Sequence, residues 1–221
     1  MTKILDSIQF DSGPNPTASI IFIHGLGDSG HGWSDLARYP IFDGLGPISF
    51  VFPHANNMPV TLNGGLMMPS WYDIDLTQRE REDEAGLRAS QAQIEALIAR
   101  EKARGIPASR IVLAGFSQGG VMTLQTGLRH PEKLAGLICL SCYLPLASKV
   151  AAERNAAATD LPIFMAHGRY DQVVQMTWGV QSRDKLAALG YQVEWHEYPM
   201  EHSSCPEEYR DIGVWLRKVL A

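Results

Sequence analysis

The apolar positions of this chain fall in short runs, separated by longer segments at helical spacing. Ser19–His24, Ile48–Phe52, Leu134–Leu140 and Leu161–His167 are runs of the kind that strands buried on both faces make. Ile111-Val-Leu-Ala is another, and Gln192–Tyr198 reads as a final strand in which apolar and polar residues alternate. Ile4–Phe10 alternates weakly and predicts an edge strand, and Gly13, Pro14 and Pro16 place a turn over residues 11–17. Between the runs, Leu87, Gln91, Ile94, Leu97, Ile98 and Glu101 share one helical face, which ends at Arg104-Gly105. A capping-box pattern, Thr77-Gln-Arg-Glu80, precedes that helix. Trp33–Arg38 predicts a short helix and Val121, Met122, Leu124 and Gln125 a second. Met176–Leu189, capped by Gly190, predicts a third, and Cys205–Leu220 a closing one. Residues 53–76 form the longest irregular stretch, with a tight turn at Asn63-Gly64-Gly65. Loops of that length in compact domains are often functional. Strands alternating with helices predict an α/β fold: a mostly parallel central sheet with helices on both faces. Ligands of such sheets bind beyond the carboxyl ends of the strands.

No repeat, low-complexity tract or linker divides the chain, so residues 1–221 are expected to form one domain. The formal net charge of −5 argues against nucleic acid as a partner and against an electrostatic membrane anchor. No apolar run approaches the roughly 20 residues of a membrane helix, so stable membrane insertion is not expected. Met1–Phe10 lacks the apolar core of a secretory signal. Three cysteines, Cys139, Cys142 and Cys205, are too few and odd in number for a disulfide framework, and they suggest reduced thiols in the cytoplasm. Cys139 and Cys142 make a C-x-x-C, but at a strand end and without further metal-ligand partners.

The chemistry centres on Gly115-Phe-Ser-Gln-Gly119, which joins the Ile111 strand directly to a helix. Gly-x-Ser-x-Gly in that setting is a nucleophile elbow, a strained turn that lifts one hydroxyl clear of the backbone. Ser117 is the candidate nucleophile, and Gly115 and Gly119 give it steric clearance. A serine hydroxyl needs a base, and the base needs an orienting acid. On such sheets the chain order is Ser, then Asp or Glu, then His. His202 sits just past the last strand and is the preferred base. His130 ends a helix, His167 precedes the best acid, and His196 lies mid-strand. Asp171, four residues past the end of the Leu161 strand, is the preferred acid over Asp160, Glu194 and Glu197.

A tetrahedral intermediate needs two preorganised donors for its oxyanion. The amide of Gln118 at the helix start supplies one. The amide of Leu26, in the glycine-rich His24-Gly-Leu-Gly-Asp28 loop, supplies the other. His24 and Asp28 read as residues that orient this loop, in preference to a metal site with His31. Leu26, Leu66, Met67, Trp71, Val173 and Val174 are apolar loop residues near the expected rim and are candidates for binding substrate.

Four blocks together resemble the phospholipase/carboxylesterase family of the α/β-hydrolases: His24-Gly-Leu-Gly-Asp28, Gly115-Phe-Ser-Gln-Gly-Gly120, Gly168-Arg-Tyr-Asp171 with Val173-Val174, and Tyr198-Pro-Met-Glu-His-Ser203. This group holds small bacterial carboxylesterases and acyl-protein thioesterases. Asn63–Asp73 resembles the bacterial esterase branch in particular. The resemblance implies an α/β-hydrolase fold without a lid domain, the triad Ser117, Asp171 and His202, and no cofactor. It also implies hydrolysis of short-to-medium acyl carboxylic esters, with thioesters or lysophospholipids as the alternative substrates. A binding protein on a disabled hydrolase scaffold is a competing class, against which the full set of catalytic groups speaks. Residues 59–71 are apolar enough to join two copies of the chain, and such relatives admit homodimers. Gln175 and Glu201 depart from the family pattern. A carboxylate at 201 lying close to His202 would raise its pKa and shift activity toward alkaline pH.

Overall fold

The structure, a computed structural model, describes residues 4–75 and 82–221. The strands are β1 (Ser7–Asp11), β2 (Ala18–Ile23), β3 (Ile48–Pro53), β4 (Asn57–Val60), β5 (Leu66–Pro69), β6 (Ile111–Phe116), β7 (Gly136–Leu140), β8 (Ile163–Gly168) and β9 (Val193–Tyr198). Seven of them form one sheet in the order β1-β3-β2-β6-β7-β8-β9. β1 runs antiparallel to β3 at one edge, and the other pairings are parallel. The expected α/β-hydrolase architecture is observed.

Side chains of a strand point alternately to its two faces, and each face of this sheet has its own core. Ile21, Ile23, Val51 and Leu113 pack against Leu87, Ile94, Leu97 and Ile98 of α2 (Glu84–Ala103) and Val121, Met122 and Leu124 of α3 (Gln118–Gly127). Ile20, Phe22, Phe50 and Phe52 pack on the other face against Ile212, Trp215 and Leu216 of α6 (Pro206–Val219). The remaining helices are two single turns, α1 (His31–Ser34) and α4 (Val150–Glu153), and α5 (Met176–Ala188). Every residue of α3 is buried. This helix has no solvent-exposed face because the sheet and α2 enclose it.

Most predicted elements are found with their ends shifted by a residue or two. The Trp33–Arg38 prediction resolves into α1 followed by a 3₁₀ turn, Asp35–Arg38. The 53–76 stretch is not irregular throughout: β4 and β5 pair antiparallel as a separate two-stranded hairpin. Its turn does fall at Asn63-Gly64-Gly65, with both glycines at positive φ, 66° and 81°. The capping box at residues 77–80 lies outside the described residues. The start of α2 is capped instead by Asp83, whose carboxylate accepts the Gly86 amide at 2.9 Å. Among the described residues, no helix is long and apolar enough to cross a membrane.

Candidate active site

β6 ends in a turn that only small flanking residues permit. Ser117 sits at φ 55°, ψ −120°, a sparsely populated conformation for a residue with a side chain. A Cβ at Gly119 would stand 1.9 Å from the Ile23 carbonyl oxygen, and one at Gly115 would stand 2.3 Å from that of Gly119. The clearance expected of these glycines is therefore against neighbouring backbone, which cannot yield.

The turn brings Ser117 to His202, which lies in the loop after β9. The Ser117 hydroxyl is 2.9 Å from His202 Nε2, and His202 Nδ1 is 2.6 Å from Asp171 Oδ2. With the carboxylate accepting from Nδ1–H, Nε2 is left as the acceptor for the serine proton. The imidazole is mostly buried and packs against the ring of Phe116, centroid to centroid 4.7 Å. Asp171 follows β8 and its side chain is wholly buried. Its second oxygen accepts the amides of Val173 and Val174 at 2.9 and 2.8 Å. Burial alone would raise its pKa. The hydrogen bond from His202 and the two amides outweigh burial and hold the carboxyl below its ordinary value.

His167, set aside as a base because it precedes Asp171, braces that acid. Its Nε2–H donates to the Val174 carbonyl at 2.7 Å and lies 3.5 Å from Asp171 Oδ2. Burial lowers its pKa, so it stands as a neutral imidazole. The position of His167 at a strand end, four residues before the acid, is the only signal the sequence carried for this role.

The oxyanion candidates stand on either side of the serine. A Cβ on Gly25 would lie 3.4 Å from that of Ser117. Leu26 and Gln118 line the same groove as Ser117 and His202. Among the described residues, neither amide has a protein acceptor; that of Ser117 itself is taken by the Leu140 carbonyl at 2.9 Å. His24 orients the loop, as its sequence context suggested. Its Nδ1–H donates to Gly25 O at 2.6 Å, while Nε2 accepts the Ala55 amide at 3.1 Å. Burial lowers the His24 pKa and keeps it neutral. Asp28 accepts the Ser29 amide at 2.7 Å. Among the described residues, no His, Cys, Asp or Glu cluster is arranged to hold a metal. Cys139 and Cys142 are free and buried, and burial pushes the Cys139 thiol up.

The groove beside the serine has a volume of about 1010 Å³. Of the six candidates for substrate contact, Leu26, Val173 and Val174 line it. Leu66 and Met67 do not: they lie on the hairpin and are 62% and 60% exposed. Trp71 does not either, being only 2% exposed within the core under α2. The apolar walls come largely from residues that the sequence did not single out, among them Trp33, Tyr72, Phe116, Tyr143, Leu144 and Trp178. Tyr72 and Tyr143 hydroxyls meet at 3.1 Å, and burial pushes the Tyr143 phenol up to about 12. Glu201 is exposed, and no ion pair within 4 Å joins it to His202.

A profile of the phospholipase/carboxylesterase family matches residues 8–220. An acyl-protein thioesterase 1 from Neurospora crassa is 48% identical over 214 residues, covering 92% of this chain and 87% of that protein. Its counterpart from Mycosarcoma maydis is 45% identical over 227 residues, covering 95% and 94%. Among solved structures, Zea mays acyl-protein thioesterase 2 superposes with a TM-score of 0.84 at 29% identity, covering 97% of this chain and 99% of that one. Arabidopsis thaliana SOBER1 superposes with a TM-score of 0.85 at 30% identity, covering 92% and 99%.

Proposed function

The chain belongs to the phospholipase/carboxylesterase family of serine hydrolases, and we propose that within it the protein is an acyl-protein thioesterase. The observation that carries this reading is a hydrogen-bonded line from Ser117 through His202 to Asp171 at the edge of a large apolar groove. Apolar walls suit an acyl chain, since each buried methylene contributes about 0.8 kcal/mol. The thioesterase names of the fungal relatives favour a thioester over the short-to-medium oxygen ester that motifs alone suggested.

In this reading His202 Nε2 takes the Ser117 proton as the oxygen attacks the thioester carbonyl carbon. Asp171 holds Nδ1–H in place and stabilises the imidazolium. The amides of Leu26 and Gln118 receive the oxyanion of the tetrahedral intermediate. Its collapse breaks the C–S bond, and His202 returns the proton to the departing cysteine thiolate. Water, deprotonated by the same imidazole, then hydrolyses the acyl-serine to a free fatty acid and serine.

The test compares an S-palmitoyl peptide with its matched O-palmitoyl serine peptide, for wild type and Ser117→Ala. The expected result is a kcat/KM at least tenfold higher for the thioester, lost with the serine. Equal or higher efficiency on the oxygen ester would return the protein to the general esterases. Activity that survives Ser117→Ala would remove the proposed nucleophile.

A further inference from the structure

Trp71 and the side chain of Gln118 have no part in the chemistry above, yet both are committed to one buried hydrogen-bond network. Trp71 lies two residues past the end of β5. Its indole Nε1–H donates to the carbonyl of His24 at 2.9 Å. Two residues before it, the Pro69 carbonyl accepts the Gly27 amide at 2.9 Å. Leu26 therefore sits between two hydrogen bonds, at His24 and at Gly27, and both lead to the same segment. The other side of that segment is held by the Gln118 carboxamide. Gln118 Oε1 accepts the Trp71 amide at 3.0 Å, while its Nε2 donates to Tyr72 O at 2.8 Å and to Ser70 Oγ at 3.0 Å. Behind the segment, the Ser90 hydroxyl of α2 donates to the Trp71 carbonyl.

We infer that residues 69–72, through the Trp71 indole and the Gln118 carboxamide, form a strap that fixes the two oxyanion donors relative to each other. The inference rests on the proposed roles of the Leu26 and Gln118 amides. Its physical basis is the loop itself. Gly25 and Gly27 give residues 24–28 wide conformational freedom, and an oxyanion donor works only when it is already in place. One donor belongs to Gln118. The strap is bonded to that residue's side chain on one side and to both flanks of Leu26 on the other. It therefore converts two separate backbone elements into one preorganised unit. Trp71, Ser90 and the side chain of Gln118 serve to position here: all three are buried and act through the backbone that they hold.

Trp71→Phe tests this, because it keeps the packed aromatic face and removes the N–H. Displacing a catalytic group by a fraction of an ångström to 1 Å costs on the order of 10- to 100-fold in rate. The expected result is a kcat lowered by about that factor, with KM within twofold of wild type. Affinity for an alkyl trifluoromethyl ketone, whose serine adduct carries an oxyanion, should fall in step with kcat. An unchanged kcat would overturn the strap, and so would a lowered kcat with unchanged inhibitor affinity. Ser90→Ala is a smaller deletion at the far side of the strap and serves if Trp71→Phe does not fold. It should lower kcat and inhibitor affinity together, and wild-type values of both would overturn the inference. An active wild type and an inactive Ser117→Ala, measured alongside, leave the reading of the site standing even where the strap fails. A folded wild type inert on both ester classes would overturn both.

Discussion

Glu208 stands in the first turn of α6, just after the loop that carries His202, and it is wholly buried. Neither of its oxygens has a full hydrogen bond. Burial pushes its carboxyl from the ordinary 4.5 up to about 8; the Cys205 amide offsets this in part, and the nearby Asp211 adds to it. The folded protein therefore keeps a proton that the unfolded chain releases near pH 4.5. Between those two values the folded state binds more protons, so stability falls as pH rises. Stability is fully present below about pH 4.5 and the loss is complete above about pH 8. Each pH unit of separation corresponds to about 1.4 kcal/mol. The wild type should lose on the order of 3 to 4 kcal/mol from this residue between pH 5 and pH 8. Glu208→Gln keeps the shape, suits this position of a helix start, and carries no charge at any pH. Urea unfolding of both proteins from pH 5 to pH 9 reads the difference. The variant should match the wild type closely near pH 5 and exceed it by a growing margin toward pH 8. Parallel profiles across that range would refute the argument.

Asp171→Asn should lower kcat by about 10⁴ while leaving KM nearly unchanged. The amides of Val173 and Val174 would hold the carboxamide oxygen, turn its NH₂ toward His202 and so favour the wrong tautomer; steady-state kinetics on a thioester checks this. Gly119→Ala should cost about 3 kcal/mol or more, or roughly 10 °C in Tm, because the new methyl meets the Ile23 carbonyl; thermal unfolding reads it. Leu66→Ser with Met67→Ser should stay within about 0.5 kcal/mol of wild type for each change in urea unfolding, since both side chains already face solvent.

What could be read from the chain was what local chemistry forces. A serine between two glycines, after Ile111-Val-Leu-Ala, has few other uses than an elbow. The order of strands and helices then placed Asp171 and His202 beyond the carboxyl ends of the strands, where a 2.6 Å hydrogen bond joins the two and a 2.9 Å bond joins His202 to Ser117. The glycine-rich loop at His24 was legible for the same reason: glycines at a strand end mark a close approach of backbone. His167 was not legible as a brace. Its role depends on the Val174 carbonyl curling back over it, a contact that no pattern of residue types encodes.

The groove was the least legible part, and the cause lies in residues 53–76. Apolar residues in a stretch without strong period look alike whether they face a ligand, the core or water. Here Leu66 and Met67 lie on a two-stranded hairpin outside the main sheet and are largely exposed, whereas Trp71 is sealed in beside the His24–Asp28 loop. Five residues separate the largely exposed Leu66 from the buried Trp71, and the switch is made by Pro69 and Ser70, whose backbones are bonded to Gly27 and Asn56. Those bonds join loops from distant parts of the chain. The identity of each partner is fixed only once the sheet has brought the ends of β2, β3 and β6 side by side. Substrate choice inherits that dependence. The candidate nucleophile follows from a short motif and could be named from it. The apolar wall of the groove is assembled from separate segments, among them those at Trp33, Tyr72, Phe116, Tyr143 and Trp178, none of which announces a ligand by itself.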